Sequence, residues 1–516
     1  MFRFIPGVDS PEAIASLNSA DLGELHDPVA RLVLGRGIFP RSAAEFLTAI
    51  AAHDQAADGL PSQRTFLAGE GAQIANLKVD RQLRFVITRG RREGEQPDVL
   101  ISTSATGSPF DGFLQVIGWD DKRRLYNFYQ RLFGNAWFWS GNSEHALRSP
   151  SRGRGPFDSH VNGTLVMKEL KQPWLNWHSM NASIHQDLLR ESTLSGSLFA
   201  QELSGAEDLE QQVMRPGVRR STAARVARSC DGVTVREAPL LLRHLFDSTT
   251  VNLASTTLQS TRIQATTDVM LPLSFFLASD LLLNGGLGLE SAVTGARKTS
   301  GKAYLSSLAQ FEVALKAPGF HQSGDTFFAF VVPERSLEDD EVVREMLRLG
   351  WLTPRFVACA LMVDLANPVF SNLRAELTQV VPDELALAQD GGFSETLANL
   401  IVAKATKSGV SGAAEFASLW NLGTEAWRDA AVQRISSYVA AVDRRLTTED
   451  GFADYFRLAE SRRREFARTP LREFCLTLPA TNIPDDAALL EMNENGDVQP
   501  KRGQGATGGR DAPKCV

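Results

Sequence analysis

The sequence predicts an α+β protein, an antiparallel β-meander followed by a large helical body and predominantly α overall. Three observations lead there. Between Thr65 and Ser140 five short runs rich in branched and aromatic residues (LRFVIT, DVLIST, FLQVIGW, LYNFYQRLF and AWFWSG) follow one another, each bounded by a Gly, Asp or Asn cluster. That is the texture of consecutive strands joined by turns. After Pro156 apolar residues recur at helical spacing almost to the end of the chain. From about Met492 onward the chain is rich in Gly, Asn, Lys and Arg and nearly free of aliphatic residues.

The elements follow in chain order. Residues 1–60 read as a helical cap: Asp9 or Ser10 can cap a helix at Pro11, and Phe46, Leu47 and Ile50 share one helical face. Residues 61–142 form the meander and 157–485 the helical body, whose candidate helices include 173–189, 267–284, 339–349, 354–365 and 412–446. Thr326–Pro333 (TFFAFVVP) is a strand-like interruption expected to extend the meander's sheet. Meander and body are expected to share one core, because so small a sheet with apolar faces is marginal alone. The segment 492–516 is expected to be disordered and dispensable, having almost nothing apolar to bury against the entropy of ordering it.

Composition bounds the function. A chain of 516 residues exceeds one ordinary core, and domains of roughly 100–200 residues imply two to four units. The net charge of -7 gives no general affinity for nucleic acid. Met270–Leu289, the longest apolar stretch, is interrupted by Asp280, Asn284 and three glycines, so it reads as a buried helix and loop and no membrane span is expected. The first residues lack a basic region followed by an apolar run. Cys230, Cys359, Cys475 and Cys515 stand at no metal-ligand or redox spacing, as suits a reducing cytoplasm.

No single motif fixes an activity. The stretch Gly295–Lys302 has one residue too many for a phosphate-binding loop, and Gly286 and Gly288 lack the third glycine of a dinucleotide site. The acidic run Leu337–Val342 reads most simply as a helix N-terminus that complements the helix dipole. The concentration of chemistry lies elsewhere. Four of the eight histidines and four of the eight tryptophans fall between Trp137 and Leu189. In the expected helix PWLNWHSMNASIHQDLL, Trp174, Trp177, His178, Asn181, Ile184, His185 and Leu188 share one arc of roughly 120°. An inward face with two imidazoles and an amide needs partners for them.

The site expected at 158–189 therefore has His178 and His185 as catalytic groups and Trp174, Trp177, Asn181, Arg152 and Arg154 around a cofactor, the two arginines as anion clamps. His178 and His185 stand roughly 10 Å apart along the helix, too far for one ion. Asp158 and His160 from the preceding loop would complete a metal triad with His178, the two-imidazole, one-carboxylate arrangement that ferrous iron uses. A haem on His178 amid the indoles is the comparable arrangement. Two functions follow as expectations. The first is a metal- or haem-dependent oxidoreductase, with iron or haem as cofactor, acting on a small, largely apolar molecule. The alternative is a non-catalytic binding protein in which the same face closes with Trp137 and Trp139 on an apolar ligand.

Overall fold

A computed structural model describes the chain except residues 11, 13, 70–82, 106–112, 133–135, 153–155, 159, 166–202, 257, 259–261, 318–319, 325–328, 388–391, 409–410, 469–478 and 503–516. It divides into two compact units, one of Met1–Arg225 and one beginning at Val226.

The first unit is built on a sheet of nine strands: β1 (Phe2–Arg3), β2 (Ala15–Ser16), β3 (Ser62–Gly69), β4 (Leu83–Gly90), β5 (Val99–Ser104), β6 (Leu114–Asp120), β7 (Leu125–Leu132), β8 (Ala136–Asn142) and β9 (Leu203–Ser204), in the order β2-β1-β8-β7-β6-β5-β4-β3-β9. Strands β3 to β8 pair antiparallel with their sequence neighbours. Both flanks are parallel, Phe2 lying opposite Phe138 and Thr65 opposite Leu203. The expected class is overturned by this sheet. A mixed nine-stranded sheet, with 45% helix and 21% strand, makes the protein α/β in character and not a meander attached to a predominantly α body.

Alternation sorts the sheet's side chains to two faces. One carries Leu67, Phe85, Ile87, Ile101, Val116, Tyr129, Trp137 and Trp139, which pack on Val29, Val33, Phe46 and Ile50. Val29 comes from helix α1 (Pro28–Leu32), Val33 is the residue that ends it, and Phe46 and Ile50 come from α2 (Ala43–Ala51). Ser42 caps α2 through the Glu45 N–H, and the helix turns Phe46, Leu47 and Ile50 inward. Helix α1 is capped by Asp27, whose Oδ1 accepts from the Val29 and Ala30 N–H groups at 2.9 and 3.2 Å. The other oxygen reaches into the sheet, accepting from Tyr129 OH at 2.6 Å and Asn127 Nδ2 at 2.9 Å. One carboxylate thus joins the helix to strand β7. Gly118 on β6 makes room for it, because a Cβ there would overlap Asp27 Oδ1.

The second unit is mainly helical and has its own hydrophobic core; the core expected to be shared resolves into two clusters, one per unit. At its centre is α3 (Pro354–Met362), apolar on every side after Arg355, with every residue from Phe356 to Met362 buried. The strand-like segment near Pro333 does not join the large sheet. Val332–Arg335 pairs antiparallel with Val251–Ala254 as a separate ribbon. The helix expected over 412–446 is two helices, Ser411–Trp420 and Gly423–Leu446, broken where Gly423 turns to φ 82°. Among the described residues no helix is long and apolar enough to cross a membrane.

The C-terminal expectation fails over residues 492–502. Leu490–Met492 and Val498–Pro500 form an antiparallel hairpin, and Met492 is buried in the core. Arg445 pairs with Asp497 at 2.8 Å, Arg434 Nε with Glu494 at 2.9 Å, and Lys501 Nζ donates to Phe370 O at 2.7 Å and pairs with Glu465. Charge pairs and one methionine anchor a segment whose composition suggests solvation. Residues 503–516 lie outside the described residues.

Two outcomes follow. Gly118→Ala should cost the first unit about 3 kcal/mol, since Asp27 cannot retreat without losing its helix cap or its sheet partners. A urea midpoint unchanged from the parent would show that the carboxylate has room to move. Truncation after Asn493 should lower the second unit's melting temperature by on the order of 5 °C, because Arg434, Arg445 and the largely buried Glu465 lose partners. A melting curve that superposes on the parent's would mean that the hairpin contributes nothing.

Candidate functional site

Of the expected site, His178, His185, Trp174, Trp177, Asn181 and Arg154 lie outside the described residues, as does the side chain of Asp158. Arg152 is exposed on its loop, with its N–H on Arg148 O at 2.9 Å. Trp137 and Trp139 are committed to the core of the first unit, Trp137 donating to Pro40 O and Trp139 to Asn127 Oδ1. The face they were expected to close with, Trp174 to Leu188, lies outside the described residues. What the described residues retain is His160, on the opposite face of the sheet.

His160 is placed by a compact turn. Pro156–Asp158 forms a single 3-10 turn with Phe157 at φ 58°, and the His160 N–H returns to Pro156 O at 3.1 Å. Gly163, at φ 64°, closes the next turn on His160 O at 2.8 Å; a Cβ there would overlap Ser143 O, so glycine is required. The imidazole packs on Phe128 of β7, with ring centroids 5.2 Å apart, and edge-on to Phe157 at 5.5 Å. Phe128 and Phe157 themselves meet edge to face at 5.6 Å.

The ring's protonation follows from its contacts. Nδ1 lies 2.8 Å from Thr164 O, and since a carbonyl oxygen only accepts, the ring proton sits on Nδ1 and the lone pair on Nε2. Burial against the two phenylalanines disfavours the imidazolium and lowers the pKa to about 4; the bond to Thr164 opposes this, and the Arg84 guanidinium reinforces it. At neutral pH the group is a neutral ring offering one nitrogen acceptor.

Cross-strand register extends the face. Ser102, Gln115 and Gln130 lie side by side on β5, β6 and β7, with Val86 and Phe138 at the two ends of the row. Gln130 is on the same face as Phe128, two residues along the strand. Gln130 donates to Ser140 Oγ at 2.9 Å, whereas the buried Ser102 Oγ has no hydrogen-bond partner among the described residues. An aromatic wall, a nitrogen acceptor and a short polar strip thus share one side of the sheet. Among the described residues no group of three or more His, Cys, Asp or Glu side chains is arranged to hold a metal ion.

The second unit holds a charged cluster that sequence reasoning assigned to the helix dipole alone. Helix α4 (Leu337–Arg348) is capped by Ser336, and Glu338, Asp339, Asp340 and Glu341 in its first turns are all buried. His244 Nδ1 lies 2.7 Å from Asp339, both side chains being 1% exposed, and Thr249 bonds to the same carboxylate through its N–H and its hydroxyl. Arg335 pairs with Asp340 at 2.9 Å and Arg344 with Glu341 at 2.9 Å. Burial alone would raise Asp339, but His244, Arg335 and Thr249 hold it below the usual carboxylate range; burial pushes Asp340 up to about 6 against Arg335. The signal was available in part, since His244 falls on the apolar face of Ala238–Phe246. Its closure to solvent makes this cluster an internal tie and not a substrate site. The other described histidines are also accounted for in part: His145 completes a capping box with Asn142, and His321 is exposed on a hairpin strand.

Compared with known proteins, the chain matches no family model, no curated protein and no solved structure.

The depressed pKa has a signed consequence. An unfolded histidine titrates near 6.5 and folded His160 near 4, so between those values the unfolded chain holds a proton that the folded one refuses. His160 therefore contributes stability above about pH 6.5 that is lost as pH falls towards 4. In a histidine-labelled NMR sample, the resonance removed by His160→Gln should stay in the neutral form down to about pH 5. A resonance that titrates near the free-histidine value would show the ring to be hydrated and the aromatic packing wrong.

Proposed function

We propose that the chain binds a small, largely apolar molecule on the His160 face of the nine-stranded sheet, with His160 Nε2 accepting a hydrogen bond from it. One observation carries this. A neutral imidazole is fixed by Thr164 O and packed between Phe128 and Phe157, with its remaining acceptor uncommitted to any hydrogen bond among the described residues. Apolar walls supply affinity and a single polar group supplies orientation, the usual division of labour in small-molecule sites. Ser102 Oγ offers a second polar group on the same face.

A metal centre is the second reading, favoured by the same hydrogen bond. An imidazole whose N–H is held by a backbone carbonyl has its other nitrogen oriented as metal-binding histidines have theirs. A pKa of about 4 also removes proton competition at neutral pH. His160 would then be one ligand of iron or haem in an oxidoreductase, with Asp158 and His178 the expected companions. Among the described residues no group of three or more such ligands accompanies His160.

Both readings meet in one set of measurements on the purified full chain. N-phenyl-1-naphthylamine, an apolar fluorophore with one N–H donor, should bind saturably, and His160→Leu should weaken it roughly five- to tenfold by removing the acceptor. Stoichiometric iron or a haem absorption band that disappears in His160→Gln would instead select the metal centre. Probe affinity indifferent to His160, in protein carrying no metal, would dispose of both.

A further inference from the structure

A second site lies elsewhere in the first unit, at the start of β3 and the turn after β4. There a cleft of about 590 Å³ is lined by Pro61, Ser62, Gln63, Arg64, Thr65, Arg91, Arg92 and Glu93. The volume is in the range of small-molecule sites, but the lining is unlike theirs: it includes three arginines and one glutamate, in a chain whose net charge is -7. The geometry points to a binding site for a small multiply charged anion, a phosphate ester or a polycarboxylate.

The charges of Arg64 and Arg92 are open to exchange, and that of Arg91 in part. Arg64 bonds to the neutral amide oxygen of Gln212 and lies over the Phe66 ring at 5.0 Å, so its charge meets no carboxylate among the described residues. Arg92 is 81% exposed and pairs only with Glu95, itself half exposed, at 3.3 Å. Arg91 divides its guanidinium between Asp98 at 3.3 Å and the exposed Asp121. The exposed pairs of Arg92 with Glu95 and of Arg91 with Asp121 contribute little, and a ligand with several anionic oxygens gains bidentate contacts in replacing them, while the buried Asp98 keeps Arg91 in place. Beneath the cleft the platform is rigid: Arg89 on β4 is held by Asp54 and by Gln63 Oε1 at 3.1 Å, across the β3–β4 ladder. The hydroxyl of Ser62 and the amide of Gln63 add neutral groups at the mouth.

The test titrates the full-length protein calorimetrically with inorganic pyrophosphate and, separately, with citrate, at low and at high salt. Saturable one-site binding that weakens with salt is expected for at least one of them. Pyrophosphate alone identifies phosphate esters, and citrate alone identifies polycarboxylates. Arg92→Ala is the informative variant, because so exposed a side chain can be removed without unfolding the protein. It should bind about tenfold more weakly, the loss expected for one charge-assisted contact. Arg348→Ala, which removes another exposed and acid-paired arginine in the second unit, should bind as the parent does. Absence of binding to both anions, or equal affinity in the parent and Arg92→Ala, overturns the site.

Discussion

A charge buried without a counter-charge must collect enough hydrogen bonds to stand in for water, and both units are organised around that demand. Asp27 is fully buried and forms no ion pair among the described residues. Burial raises its pKa, while Tyr129, Asn127 and the first N–H groups of α1 pull the other way. Those donors come from a helix and from the central strand β7, so the requirement of one carboxylate sets where α1 sits on the sheet. The absence of a side chain at Gly118 is the same requirement felt on the neighbouring strand.

In the second unit the sign is reversed and the logic holds. Arg374 donates to the carbonyls of Val363, Asn367 and Pro368, and Arg462 to those of Phe275 and Ala366 and to Asn367 Oδ1. Burial lowers both guanidiniums to about 10, which still leaves them charged at neutral pH. Two cations thus gather the backbone that leaves α3. The path they impose is strained: Asp364 and Phe370 adopt φ of 52° and 58°, costly for non-glycine residues. Glu415 holds the Asp364 N–H at 2.8 Å and Ser248 the Phe370 N–H at 3.1 Å, so the strain is held from outside the turn. Asn367 also accepts from the Met492 N–H, which ties the C-terminal hairpin to the same knot.

What was legible in the sequence follows from the range over which each signal acts. The five runs between Leu83 and Gly141 coincide with strands because each holds five or more residues of consistent texture, and Phe46, Leu47 and Ile50 mark their helix for the same reason. Strands β1, β2 and β9 have two residues each, too few for any periodicity. Of these, β1 and β9 make the parallel pairings, with β8 and β3, that change the class of the sheet. The hairpin after Met492 was missed because composition counts Glu494, Asp497 and Lys501 as solvated, whereas Arg434, Arg445 and Glu465 wait for them far back in the chain. His160 was visible as one of a crowd of histidines and indoles. Its chemistry was not, because the tautomer depends on Thr164 O and the pKa on Phe128, a residue of another strand.

That chemistry limits the work His160 can do. With a pKa of about 4, roughly one ring in a thousand is protonated at pH 7, so it is an ineffective proton donor. As a base it is equally mismatched, since efficient general bases have pKa values near the working pH. Repairing this would take hydration or a carboxylate at the ring. Instead a second aromatic ring, Phe157, is turned onto it at a positive φ that a non-glycine residue adopts only under constraint. The arrangement expends backbone strain to keep the imidazole partly shielded and neutral. A ring so kept is suited to the role of an acceptor or a ligand.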